Sequence, residues 1–372
     1  MNYKQTMLAL LILAALLFSI FTLSVASSEP FRVSARSAVL YEPQSGSFIY
    51  EKNANERLAM ASTTKIMTAI VALENGDLDE VVTVDDRAFG IEGSSAYLSV
   101  GDTYTLEDML YALLLQSAND AAVAIACTVS GSVEKFVSLM NEKAKELKLE
   151  NTHFSNPNGL DAEDHYTTAH DLALTAAHAI TIERFTDICS TYKKKIHSVF
   201  DDKERLFVNH NKLLGMYEGA IGIKTGYTKK SGRCLVGAAE REGVTLISVT
   251  INAPDDWRDH KNMLDFGFDT LESRTLLKSG DLSYDIPILF SDTGSAEVTN
   301  AEDVNLVLSK GAAVEKEVFL PPYLNAPMKK GDKIGEVRFT VGDKVVAVTN
   351  LVLSEDILLQ KEKGFLSRLF GK

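Results

Sequence analysis

The chain has 372 residues, 45% apolar and 24% charged, which is longer than one typical domain and enough to bury a substantial core. Its net charge of −13 argues against a nucleic-acid partner, because phosphate binding needs clustered Lys and Arg. Three cysteines are too few and odd in number for a disulfide framework, and none of the seven histidines stands in His-Glu-x-x-His or Cys/His metal spacing, so no metal or other cofactor is expected.

Residues 1–26 have the anatomy of a signal peptide: Lys4, an apolar run from Met7 to Val25, and small residues Ser24, Ala26, Ser27 and Ser28 at the exit. Cleavage near Ala26 exports the body of the chain, and so does the alternative, an uncleaved N-terminal anchor. Val33 to Tyr41 reads as a strand, and Ser47 to Tyr50 as its hairpin partner across Glu42-Pro-Gln-Ser-Gly46. Ser62 opens a helix whose Ile66, Met67, Ile70, Val71 and Leu73 keep helical spacing until Gly76. Thr105 to Asp108 resembles a capping box ahead of the next helix, Asp120 to Thr128 forms another, and Ser132 caps a third that runs to about Leu147. A polar loop over 151–159 precedes a helix from Ala169 to Ile180, and helices are expected to dominate until about Val199.

Beyond Asn209 the period changes. Ile221 to Gly226, Cys234 to Ala239 and Val244 to Ile251 read as a β-meander, and Asp259 to Ser273 as a last helix. Strands at both ends with helices between them predict the α/β (α+β) class: one antiparallel sheet built from distant segments, with a helical insertion over about 77–205, the whole spanning 29–273. Short β runs divided by Gly and Pro turns predict a small all-β domain over 274–354. Residues 355–372 are expected to form an amphipathic, membrane-anchoring helix. Phe365, Leu366, Leu369 and Phe370 share one face, and 361–372 carry four basic residues against one acidic.

Three short strings in order carry the chemistry: Ser62-Thr-Thr-Lys65, Ser117-Ala-Asn119 and Lys224-Thr-Gly226. Each has duplicates, so context decides. Ser132/Lys135 is explained as a helix cap, Ser190/Lys193 has no apolar helix start, and Lys278-Ser-Gly280 lies in or beside the β-rich part; Lys230-Ser-Gly232 is a further variant of the third string. A serine hydroxyl needs a base within hydrogen-bond reach, and Lys65, three residues on, shares a helix face with Ser62. Lysine acts as a base only when its pKa falls, which burial and a second cation, Lys224, would bring about. Ser117 can relay a proton, Asn119 can hold a lysine and the substrate amide, and Lys224-Thr225-Gly226 can dock an extended peptide along a strand.

These residues resemble the low-molecular-mass penicillin-binding proteins, serine-type D-alanyl-D-alanine carboxypeptidases of the S11 type. Ala61 to Met67 is similar to the family's nucleophile helix, Leu115 to Ala121 to its second motif, Gly222 to Thr228 to its third, and Asn151 to Leu160 with His165 to Asp171 to a loop and helix of this branch. The resemblance implies Ser62 as nucleophile, Lys65 as general base, Ser117 and Asn119 in proton relay, and Lys224, Thr225 and Gly226 on the substrate strand. Tyr227 would supply a second oxyanion N–H beside that of Ser62, and Arg258 stands where the family tends to have a carboxylate-binding arginine. It further implies peptidoglycan stem peptides as substrates, β-lactams as covalent inhibitors, and a peripheral position on the outer face of the bacterial cytoplasmic membrane. Two alternatives remain. A class A β-lactamase needs Glu-x-x-Leu-Asn, which Glu146 to Asn151 only approximates, and has Asp where Ala118 stands. A catalytically silent penicillin-fold adaptor would have no use for the intact triple.

Overall fold

The structure, a computed structural model, describes residues 31–360. The chain divides into Met1–Arg32 and a compact unit that begins at Val33, and the account below concerns the latter. The expected signal peptide lies outside the described residues, as does the expected terminal helix beyond residue 360.

β1 (Ser37–Glu42) and β2 (Ser47–Lys52) form the expected hairpin. A 3-10 turn, Ala61–Thr64, feeds α1 (Lys65–Asn75), so Ser62 sits in the turn just ahead of the α-helix. Ile66, Met67, Ala69, Ile70, Val71 and Ala72 are all at most 1% exposed, and a helix buried on every side belongs at the centre of its domain. β3 (Val81–Thr83) pairs with β4 (Thr103–Thr105), and α2 (Leu106–Leu115), α3 (Asn119–Ser130), α4 (Val133–Glu146), α5 (Ala169–Thr181) and α6 (Glu183–Ser190) follow. Their starts obey local chemistry. Thr105 Oγ1 accepts from Asp108 N at 3.1 Å, Ser132 Oγ from Lys135 N at 3.3 Å and Thr168 Oγ1 from Asp171 N at 3.0 Å, each cap contributing about 1 kcal/mol. Ser132 is thus a cap, and Ser190 is the last residue of α6.

Where helices were expected up to Val199, the chain instead forms a hairpin of β5 (Lys193–His197) and β6 (Glu204–Val208). Only Ile196 and Phe207 are buried in it: β5 has a single apolar residue, and in β6 the consecutive Leu206, Phe207 and Val208 do not alternate with polar residues, so neither strand registers as a period. Next come α7 (Leu213–Met216), β7 (Ala220–Thr228), β8 (Gly232–Arg241), β9 (Val244–Ile251) and α8 (Asp256–Thr270). The main sheet runs β2-β1-β9-β8-β7 with every pair antiparallel, and Val39 of β1 meets Val249 of β9, so the two ends of the domain close on each other. Ile247, Val249 and Ile251 join the main core. Ser248 and Thr250, on the opposite face by alternation, meet His260 of α8 at 2.7 and 3.0 Å, so the sheet is covered on both sides. β7 is left as one edge strand and β2 as the other.

Leu271 to Ser273, expected to end the last helix, instead open β10 (Leu271–Leu277). β11 (Ser283–Leu289), β12 (Ser295–Asn300), β13 (Val304–Ser309), β14 (Glu315–Phe319), β15 (Leu324–Asn325), β16 (Lys333–Val341) and β17 (Lys344–Leu353) complete the β-rich part. β10 pairs with β13, and the others form a six-stranded sheet in the order β14-β16-β17-β12-β11-β15. β12 was not anticipated because Ala296 and Val298 are its only apolar residues, although both are buried. Ile286, Val298, Val337, Phe339 and Leu351 build a second core of its own. Residues 355–360 are not helical; Ile357 forms an isolated β-bridge there. Ile357 is 3% exposed and exchanges backbone hydrogen bonds with Met328 at 2.9 and 3.0 Å, so this apolar residue serves the second core.

Candidate active site

The junction of the 3-10 turn and α1 places Lys65 directly beneath Ser62. Its Nζ is 3.0 Å from Ser62 Oγ and 2.6 Å from Asn119 Oδ1, and also donates to the backbone oxygen of Asn158. The Asn119 amide is oriented from its other side, where Nδ2 donates to Glu92 O at 2.6 Å. Lys65 is 0% exposed, and its pKa is pushed well below the ordinary lysine value by burial first and by Lys224 second, with Asp120 opposing. A neutral amine keeps two N–H donors and one lone pair. Two of the three partners are carbonyls, which can only accept, so deprotonation turns the lone pair towards the one partner that can donate, the Ser62 hydroxyl.

The turn itself is held from outside. Ala61 takes a φ of 48°, uncommon for a residue with a side chain, and Gly159 passes so close that a Cβ there would sit 2.1 Å from Ala61 O. Thr64 Oγ1 donates to Ala61 O at 2.8 Å and lies 2.8 Å from His165 Nε2. Ser155 N donates to His165 Nδ1 at 3.0 Å, which puts the imidazole proton on Nε2 and aims it at Thr64. Burial pushes His165 down to about 4, so it stays neutral at physiological pH.

Ser117, at the junction of α2 and α3, also has a positive φ, 61°, and lines a cleft of roughly 460 Å³ with Ser62, Thr225, Gly226 and Tyr227, a size in the range of small-ligand sites. Lys224 is 1% exposed, donates from Nζ to Thr225 O at 3.0 Å, and is pushed down to about 7 by burial. Gly226 brings edge strand β7 against the nucleophile turn, since a Cβ there would lie 2.9 Å from Ser62 N. Of the nine residues singled out in the sequence, Ser62, Ser117, Thr225, Gly226 and Tyr227 line one cleft, Lys65 links Ser62 to Asn119 behind it, and Lys224 is the buried strand neighbour of Thr225. Arg258 does not join them: its side chain is 65% exposed, pairs with Asp255 at 2.8 Å, and the cleft wall is formed by its neighbour Trp257.

Sequence reasoning passed over Asn158, His165, His210 and Arg233. Asn158 acts through its backbone oxygen, which no residue type advertises. His165 was seen only as part of a loop motif. His210 and Arg233 line the cleft from a connecting segment and from β8, and only the pairing of β7 with β8 brings Arg233 there. All three cysteines are free and buried; Cys234 borders the cleft, and burial pushes its thiol up to about 11.

Residues 24–255 match the peptidase S11 family, described as D-alanyl-D-alanine carboxypeptidase, and residues 271–358 match the C-terminal domain of penicillin-binding protein 5. The chain is 35% identical to D-alanyl-D-alanine carboxypeptidase DacF of Bacillus subtilis over 346 residues, covering 90% of this chain and 88% of that one. Its identity to D-alanyl-D-alanine carboxypeptidase DacC of Escherichia coli is 31%, covering 91% and 87%. Penicillin binding protein 5 from Haemophilus influenzae superposes with a TM-score of 0.72 at 30% identity, covering 89% of this chain and 99% of that one. A mutant of the Streptomyces K15 DD-transpeptidase superposes at 0.62 with 32% identity, covering 64% of this chain and 99% of that one. With this match across both parts of the chain and a buried lysine against a serine at the centre of the first, the chain belongs to the D-alanyl-D-alanine carboxypeptidase family and is a serine hydrolase of the penicillin-binding-protein type.

Proposed function

We propose that the protein removes the terminal D-Ala from peptidoglycan stem pentapeptides through an acyl-enzyme on Ser62, and that β-lactams acylate the same oxygen. The observation that carries this reading is the buried Lys65 amine 3.0 Å from Ser62 Oγ with its other two partners fixed as acceptors. Neutral Lys65 takes the hydroxyl proton as Oγ attacks the penultimate D-Ala carbonyl. The backbone N–H groups of Ser62 and Tyr227 receive the oxyanion. Ser117 passes the proton to the departing D-Ala amine, the C–N bond breaks, and an ester remains on Ser62. Water then attacks the ester with Lys65 again as base, which frees the shortened peptide and restores the serine.

The substrate lies as an added strand along the edge of β7, with Asn119 and Thr225 bonding its amides and carboxylate and Lys224 keeping Lys65 neutral. Residues 1–26 export the chain, and residues beyond 360, basic and amphipathic in sequence, hold it to the outer face of the cytoplasmic membrane. The test is product analysis with a stem pentapeptide. One equivalent of free D-Ala per peptide, absent in Ser62→Ala, is expected. Cross-linked product in place of the hydrolysed tetrapeptide would make the protein a transpeptidase, like the Streptomyces K15 DD-transpeptidase.

A further inference from the structure

A carboxypeptidase must distinguish the end of a chain from an internal residue, and the chemical mark of that end is a free carboxylate. We infer that Arg233, on β8, recognises this carboxylate and so restricts the cleft to chain ends; the inference rests on the hydrolytic reading above. Among the described residues, Arg233 is the permanently charged cation in the cleft wall. Arg258 pairs with Asp255 outside it. His210, also in the wall, is lowered by burial and by Lys224, and Lys224 itself lies near 7, so neither guarantees a positive charge at neutral pH.

Position supports the assignment. Tyr227 pairs with Arg233 and Gly226 with Cys234, so the Arg233 backbone lies one strand across and one residue along from Gly226, about 6 Å away by strand geometry. Gly226 abuts Ser62, and the carboxylate of the leaving residue lies within one residue length, about 3.5 Å, of the carbonyl under attack. An arginine side chain spans that gap. The guanidinium is also built in. Its Nη2 donates to Asp256 Oδ1 at 2.8 Å, Asp256 is 4% exposed, and the same carboxylate oxygen accepts from Trp257 N at 3.0 Å. Asp256 takes one of the five N–H donors and tethers that end of the fork. The side chain remains 46% exposed on the cleft side, where the remaining donors can take a carboxylate in bidentate fashion.

The test compares kcat/KM for a peptide ending in D-Ala-D-Ala with that for its C-terminal carboxamide. In Arg233→Gln the free-acid value should fall roughly 10- to 100-fold while the carboxamide value stays within about two-fold, and Arg233→Lys should recover only part of the preference because it lacks the fork. Should Arg233→Gln fold poorly with Asp256 left buried and unpaired, Arg233→Gln/Asp256→Asn removes both charges and gives the same ratio. A preference for the free acid unchanged in an active variant, or equal losses on both peptides, overturns the inference and leaves the hydrolytic reading standing. Wild-type protein that releases no D-Ala from the free-acid peptide overturns both.

Discussion

Lowering the pH from 7.5 to 5 should destabilise this protein through two histidines buried as neutral rings. His260 sits between β9 and α8, bonded to Ser248 and Thr250, and burial pushes it down to about 3; His165, beneath the nucleophile turn, is pushed down to about 4. The unfolded chain takes up a proton on each near 6.5, whereas the folded chain does not, so stability is full above about pH 7.5 and declines as the pH falls. Because both folded values lie below 5, the loss at pH 5 is set by the unfolded value: about 2 kcal/mol for each ring and about 4 for the pair. Against a typical total of roughly 5–15 kcal/mol, that is a large fraction. Urea denaturation at pH 7.5, 6.5, 5.5 and 5.0 reads the slope directly, and His260→Gln should remove about half of it whatever the variant's stability at pH 7.5. An undiminished slope in His260→Gln would refute the reasoning.

Three substitutions probe the catalytic cluster. Lys224→Met removes a cation that holds Lys65 down, so the Lys65 pKa rises and the acid limb of the pH profile for β-lactam acylation moves to higher pH; a purely structural effect would lower the profile without moving it. Gly226→Ala places a Cβ 2.9 Å from Ser62 N and should slow acylation by about ten-fold or more in stopped-flow, with far-UV dichroism unchanged. Asn119→Ala leaves a buried Lys65 donor without its 2.6 Å partner and should cost about 1–3 kcal/mol in urea denaturation as well as activity.

Long-range closure of the sheet was legible because β1, β7, β8 and β9 keep clear strand signals while α1 keeps a helical one. Ser62, Lys65, Ser117, Asn119 and Lys224 converge because each sits at a boundary that local chemistry defines: a turn, a helix start or an edge strand. Elements that bury only one or two apolar residues were not legible. β5, β6 and β12 are stabilised by what they pair with and cover, and sequence periodicity does not record that. The Arg258 assignment illustrates the same limit. A helix turns each residue by about 100°, so neighbours face different ways, and Trp257 reaches the cleft while Arg258 pairs outside it. Arg233 became visible only through the register of β7 against β8.

The most direct measurement is intact-mass and peptide-level mass spectrometry of the protein after exposure to benzylpenicillin. A single covalent adduct, confined to the peptide that contains Ser62 and absent from Ser62→Ala, is the predicted result. An adduct that persists in Ser62→Ala, or that maps to another residue, would contradict the assignment of Ser62 as the nucleophile.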